Sequence, residues 1–148
     1  MGKGGSVSIR TTAKLIGCVL ATVLICGCAT GPGGVTDEEQ IMARLETLKA
    51  GVLGKDIEKV RGVVSEDFYY PGMGDKENAL DLVQEGMDTG IVDDGEIDLE
   101  DTEIKIEGDI ATAGPIEVGN PMGSATVEFE FKKEGGGWLI IGGTADGF

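Results

Sequence analysis

The C-terminal third of this chain alternates, and that pattern limits what it can fold into. Between Ala125 and Lys133, Val127, Phe129 and Phe131 fall on one side of an extended backbone, and Glu128, Glu130 and Lys132 on the other. The spacing predicts two further strands upstream, Ile97–Ile106 and Ile110–Val118. Turn residues close them, Glu107-Gly108-Asp109 after the first and Gly119-Asn120-Pro121 after the second. Gly135-Gly136-Gly137 then turns the chain into a last strand, Trp138–Gly142. That strand is apolar on both faces, Trp138 and Ile140 against Leu139 and Ile141. It is expected to be central in its sheet or covered on its outer side.

The period changes upstream. Thr36 and Glu39 have the spacing of a capping box, and Asp37, Glu38 and Glu39 place negative charge at the positive end of a helix dipole. Ile41, Leu45, Leu48 and Val52 recur at helical spacing, with Met42 and Leu53 widening the stripe, and Gly51 and Gly54 mark its end. A second helix starts near Asp56, with Ile57, Val60 and Val64 on one face. Pro71 stops helical continuation, so Phe68, Tyr69 and Tyr70 leave as a short aromatic strand or loop. After a turn at Gly72–Gly74, Asp75 can cap a third helix that buries Leu80, Val83 and Met87 and ends near Gly86 and Gly90.

The run GKDIEKVRGVVSEDFYYPG, Gly54 to Gly72, resembles the signature that opens many nuclear-transport-factor-two-like domains. That superfamily includes SnoaL-like polyketide cyclases, ketosteroid isomerases and scytalone dehydratase, with many non-catalytic members. Its members also tend to end on a strand opened by a tryptophan, as Trp138 does here. The resemblance covers residues 36–148. It implies an α+β cone, with N-terminal helices packed on a strongly curved antiparallel sheet and a pocket at the wide end. The shared core is then expected to hold Leu45, Leu48, Val60, Phe129, Phe131 and Ile140.

The first 28 residues are different in kind. They contain Lys3, Arg10 and Lys14 and no acid, which leaves nine basic residues against all 27 acidic ones in the remainder, a net of −18. Leu15–Gly27 is an apolar stretch of 13 residues, short for a membrane-spanning helix, which needs about 20, and typical of a secretory signal. All three cysteines, Cys18, Cys26 and Cys28, lie in or just after it. Ile25-Cys26-Gly27-Cys28 resembles the bacterial lipobox, which makes Cys28 the expected site of lipidation and the membrane the expected partner. Leu15-Ile16-Gly17-Cys18 fits the same pattern, but cleavage there would leave almost no apolar region before it. The competing role for these residues is as ordinary small apolar members of a signal peptide or short membrane helix. Residues 29–35 read as a flexible Gly/Pro tether. Ala29 is not the aspartate associated with inner-membrane retention, so an outer-membrane or periplasmic-side envelope location is expected.

Much chemistry is excluded. The chain has no histidine, and once Cys28 is acylated the mature domain has no thiol. No glycine-rich phosphate loop joins a strand to a helix, and the acidic domain would repel nucleic acid. The acidic run Asp93–Asp101 fails as a calcium loop. With Gly95 as the sixth position, Gly90 and Val92 fall where oxygen ligands are needed. No cofactor and no metal site are expected. Tyr70 stands before Pro71 where the isomerases place an aspartate, so the resemblance gives no acid there. Asp67 would need a buried, pKa-raising site to act as a base.

Phe68, Tyr69, Tyr70, Met73, Phe129, Phe131 and Trp138 are the candidates to line a pocket, with core filling as the competing role for most of them. Tyr70 and Trp138, each with a polar tip, are the favoured pocket members. Three functions compete on this evidence. The first is a lipid-anchored, non-catalytic domain that binds a small apolar ligand or an envelope protein. The second is a SnoaL-like enzyme with a carboxylate base. The third is a structural or assembly module, with a homodimer through the sheet as its partner. The first is the expected function.

Overall fold

The computed structural model describes residues 34–147. The signal-like leader, Cys18, Cys26, Cys28 and most of the 29–35 tether lie outside the described residues.

Three helices lie in the N-terminal half of the domain. Helix α1 spans Asp37–Leu53, α2 Ile57–Val63 and α3 Lys76–Thr89. Each starts on the side chain that the sequence offers. Thr36 Oγ1 accepts from the Glu39 amide while Glu39 Oε2 accepts from the Thr36 amide, at 3.2 and 2.8 Å. Asp56 and Asp75 accept from Lys59 and Asn78 amides at 3.3 and 3.1 Å. Helix α1 runs through Gly51 instead of weakening there. Gly51 is buried against α2, and a Cβ on it would lie 2.9 Å from Val60 Cγ2. Its role is close approach of two helices, and the helix ends at Gly54. Helix α3 ends on Gly90 in the left-handed conformation, φ 78°.

The aromatic segment leaves α2 as a small hairpin. Strand β1, Tyr69–Tyr70, pairs antiparallel with β2, Gly74–Asp75, across the Pro71 turn. The remaining strands are β3 (Glu96–Asp98), β4 (Glu103–Glu107), β5 (Ile110–Asn120), β6 (Gly123–Glu134) and β7 (Gly137–Asp146). They form one antiparallel sheet, β3-β5-β6-β7, with β4 also on β5. The expected single strand Ile97–Ile106 is therefore two. Asp98 Oδ1 accepts from the Glu100 amide at 2.8 Å and turns the chain, so that Leu99 drops into the core. Opposite this break, β5 bulges between Ala113 and Ile116, and a second irregularity falls between Glu130 and Phe131 on the β6–β7 ladder. Bulges bend a sheet, and α1 touches both β4 and β7, which lie towards opposite edges of this one.

Strand β7 is at the edge of the sheet, not its centre. Its outer edge is met at Ile140, where the Ser65 amide donates to the Ile140 carbonyl at 2.9 Å and Val64 forms a parallel bridge. The turn after α2 thus blunts an edge that would otherwise be open. The core between helices and sheet holds Ile41, Leu45, Val60, Val63, Leu80, Met87, Ile116, Phe131, Trp138 and Ile140, all buried. Leu48 and Phe129, also expected there, are only half-buried.

Candidate ligand cavity

Leu48 and Phe129 are half-buried because they face a cavity of about 270 Å³ between the helices and the sheet. Helix α1 contributes Leu45, Leu48, Lys49, Val52 and Leu53 from its C-terminal half. Helix α2 and its exit add Val60, Val64 and Phe68, and α3 adds Ala79, Leu80 and Val83. The turn after α3 supplies Ile91 and Val92, β3 and its exit Ile97 and Leu99, and the sheet Ile116, Val118, Phe129 and Ile140. Leu53, Met73 and Ile91 are exposed, so the cavity's rim is apolar as well as its walls.

Lys49, Glu96 and Asn120 are the polar side chains in this lining. The Asn120 amide is already committed. Its Nδ2 donates to the Ile91 carbonyl at 3.0 Å, and its Oδ1 accepts from the Met122 and Gly123 amides at 2.8 and 3.1 Å. Asn120 therefore holds the turn after α3 to the β5–β6 hairpin and is not aimed at a ligand. Lys49 and Glu96 border the cavity on the side of a second, open cleft of about 590 Å³ between α1 and β3.

The structure separates the residues singled out in the sequence. Phe68, Met73 and Phe129 line the cavity. Tyr69 is exposed, at 63%, and Tyr70 packs half-buried against the core, neither among the lining residues. Phe131 shares a strand face with Phe129 but sits one pair further along, opposite Ile140, where helix and sheet close on each other and it is fully buried. Trp138 is fully buried too, and its indole Nε1 donates to Asp37 at 3.0 Å rather than into the cavity. Most of the lining is aliphatic and comes from the helical stripes. Those stripes signalled burial, but nothing in their spacing distinguishes a packed wall from a cavity wall.

Asp67 lies outside the cavity. Its exposed carboxylate accepts from Lys132 Nζ at 3.0 Å, and this pairing, with Glu134 at 3.7 Å, holds the Lys132 ammonium above its ordinary pKa. Glu66 is exposed and pairs with the buried Lys76 at 2.6 Å. The acidic pair after α2 thus ties the chain to α3 and β6. Within the cavity no carboxylate is buried among the described residues, since Glu96 is exposed. Such walls can hold an apolar molecule, and among the described residues they bring no buried carboxylate to bear on it.

No protein-family model matches the sequence, and no curated protein matches it. Solved structures match by fold. A protein with a cystatin-like fold from Caulobacter vibrioides is similar at a TM-score of 0.64 and 12% identity, over 76% of this chain and 89% of that one. A candidate dehydratase of the NTF2-like (nuclear-transport-factor-two-like) family from Streptomyces avermitilis is similar at 0.62 and 15% identity, over 76% of this chain and 97% of that one. An NTF2-like protein of unknown function from Pseudomonas putida is similar at 0.60 and 16% identity, over 76% and 89%. The chain has the α+β NTF2-like fold.

Proposed function

We propose that this NTF2-like domain binds a small apolar molecule without turning it over, and that lipid on Cys28 holds it at the bacterial cell envelope. The observation that carries the binding reading is the cavity lining, aliphatic and aromatic except for Lys49, Glu96 and Asn120. Burial of apolar ligand surface contributes about 25 cal/mol per Å², which is enough for binding by shape and apolar contact alone. The non-catalytic reading is supported by the position of the carboxylates. General acid–base catalysis needs a group within hydrogen-bond reach of the substrate and a pKa near the working pH. Asp67 is engaged outside the cavity with Lys132, and Glu96 is exposed at its border. The envelope assignment is supported by the basic leader, its 13-residue apolar stretch and the box ending at Cys28.

The test uses an uncharged apolar probe. Octanol is expected to raise the melting temperature of the domain, and Val83→Trp, which fills the cavity from α3, is expected to abolish that rise while the variant still unfolds cooperatively. Turnover of a ketosteroid or polyketide-like substrate, lost on Asp67→Asn with the fold intact, would make the enzyme reading the better one.

A further inference from the structure

The cavity does not end at an apolar rim on every side. Lys49, Leu53, Gly95, Glu96, Ile97 and Leu99 belong both to its wall and to the open cleft between α1 and β3. The cleft adds Glu46, Asp98 and Glu100. Among the described residues it therefore presents four carboxylates, Glu46 from α1 and Glu96, Asp98 and Glu100 from β3 and its exit, against the single cation Lys49, with one oxygen of Asp98 engaged by the Glu100 amide. None of the four forms an ion pair among the described residues. Close by, Lys55 holds Asp93 at 2.6 Å and so does not reach the cleft acids. An excess of charge of one sign in a concave cleft concentrates a field there. An apolar chamber thus opens beside a negative one, and the two share a wall.

We infer that the two chambers together take an amphiphile with a cationic head, its tail in the cavity and its ammonium group in the cleft among Glu46, Glu96, Asp98 and Glu100. This rests on the reading of the cavity as an apolar binding site and adds the class of molecule that enters it. The competing occupant is an amphiphile with a carboxylate head on Lys49. It is disfavoured because an anion there meets four carboxylates for one ammonium. Lys49, on the same helix as Glu46 and lining the same cleft, takes a different part: its single charge tempers the like-charge repulsion there.

Three probes of equal tail length separate these ideas: octylammonium, octanol and octanoate, measured by calorimetry and thermal shift near neutral pH. Octylammonium is expected to bind roughly fivefold tighter than octanol at low salt, the factor one opposite charge at contact distance supplies in water. That advantage should vanish at about 1 M salt, where the screening length is about 3 Å. A Glu46→Gln/Glu96→Gln variant should lose most of the preference and keep its octanol affinity. A Glu128→Gln/Glu130→Gln variant, altered on the exposed outer face of β6, should keep the preference and so rule out simple net charge. Octanoate binding tighter than octylammonium overturns the inference in favour of Lys49. A preference that survives neutralisation of Glu46 and Glu96, or octylammonium binding that survives Val83→Trp, overturns it as well. If neither octanol nor octylammonium binds, the apolar-cavity reading itself fails and this inference fails with it.

Discussion

The carboxylate of Asp37, in the first turn of α1, accepts a 3.0 Å hydrogen bond from the indole of Trp138, at the start of β7. Lys133 Nζ donates to the same carboxylate at 2.8 and 3.0 Å and lies 5.6 Å from the centre of the indole ring. The two ends of the domain, 101 residues apart, are closed on one another at the end of α1 away from the cavity. A buried indole N–H needs a partner, and a carboxylate in a helix's first turn also meets the positive end of the dipole.

Removing only the acceptor should therefore be the costly change. Asp37→Ala leaves the Trp138 N–H buried and unpaired, at about 1–3 kcal/mol. Asp37→Asn keeps an acceptor and should lose less. A double-mutant cycle with Trp138→Phe should give a coupling well above zero in urea unfolding, because the two residues share one bond. Additive losses would show that the bond contributes nothing.

The same contact sets a pH dependence. Hydrogen bonds from Lys133 and then Trp138 hold the Asp37 carboxyl below its ordinary value of 3.8. A lowered folded pKa stabilises the folded state above the unfolded value. That contribution is lost as the pH falls below 3.8 and through the lower folded value. The stability difference between wild type and Asp37→Asn should accordingly be constant at neutral pH and shrink below pH 3.8. Asp56, lowered by its bonds with Lys59, titrates in the same window but is common to both proteins. A difference that grows on acidification would contradict the assignment.

Two phenylalanines on one strand face should respond differently. Phe131→Ala should cost about 3–5 kcal/mol, the usual loss for a fully buried ring. Phe129→Ala enlarges a cavity that already exists and removes a ring that is half-buried, so about 1–3 kcal/mol is expected. It should also change the octanol response, which Phe131→Ala should leave in kind. Equal losses would mean that the cavity closes in solution.

These contrasts mark what could be read from the sequence. The caps at Thr36, Asp56 and Asp75 were legible because each is a hydrogen bond within three residues. The alternation of Val127, Phe129 and Phe131 was legible because strand geometry has a fixed period. The partner of Trp138 was not, since nothing local ties it to a residue 101 positions away, and its polar tip made it read as a pocket group. The break at Asp98–Thr102 was hidden because Ile97 and Leu99 continue the alternating pattern while the backbone turns. The cavity was least legible. Leu48, Val52 and Val83 carry the helical period of core residues, and whether they meet the sheet depends on how far it bends away.

Gly51 offers a test of the packing that brings α1 to α2. Alanine is ordinarily better than glycine inside a helix by about 1 kcal/mol. Here the added Cβ would sit 2.9 Å from Val60 Cγ2 and 3.1 Å from the Val60 amide nitrogen, so the helices must part. Gly51→Ala should destabilise by about 1–3 kcal/mol. Because Val60 lines the cavity, the variant should also bind octanol more weakly. A gain in stability would mean that the α1–α2 contact has slack.

The last prediction concerns the anchor. Helix α1 rises about 25 Å over its 17 residues. Its first turn carries the Asp37–Trp138 bond, and its C-terminal half lines the cavity. A lipid on Cys28, a few residues before Thr36, would hold the domain by the Asp37 end and leave the cavity free for ligand. Anchoring and binding should then be separable. In a bacterial host the wild type should partition with membranes and carry an acyl mass, and Cys28→Ser should lose both while its octanol response is unchanged. Acylation that persists in the serine variant would point to Cys18 or remove the lipoprotein reading. A weakened octanol response in a soluble, folded Cys28→Ser protein would instead mean that the lipid itself contributes to the cavity.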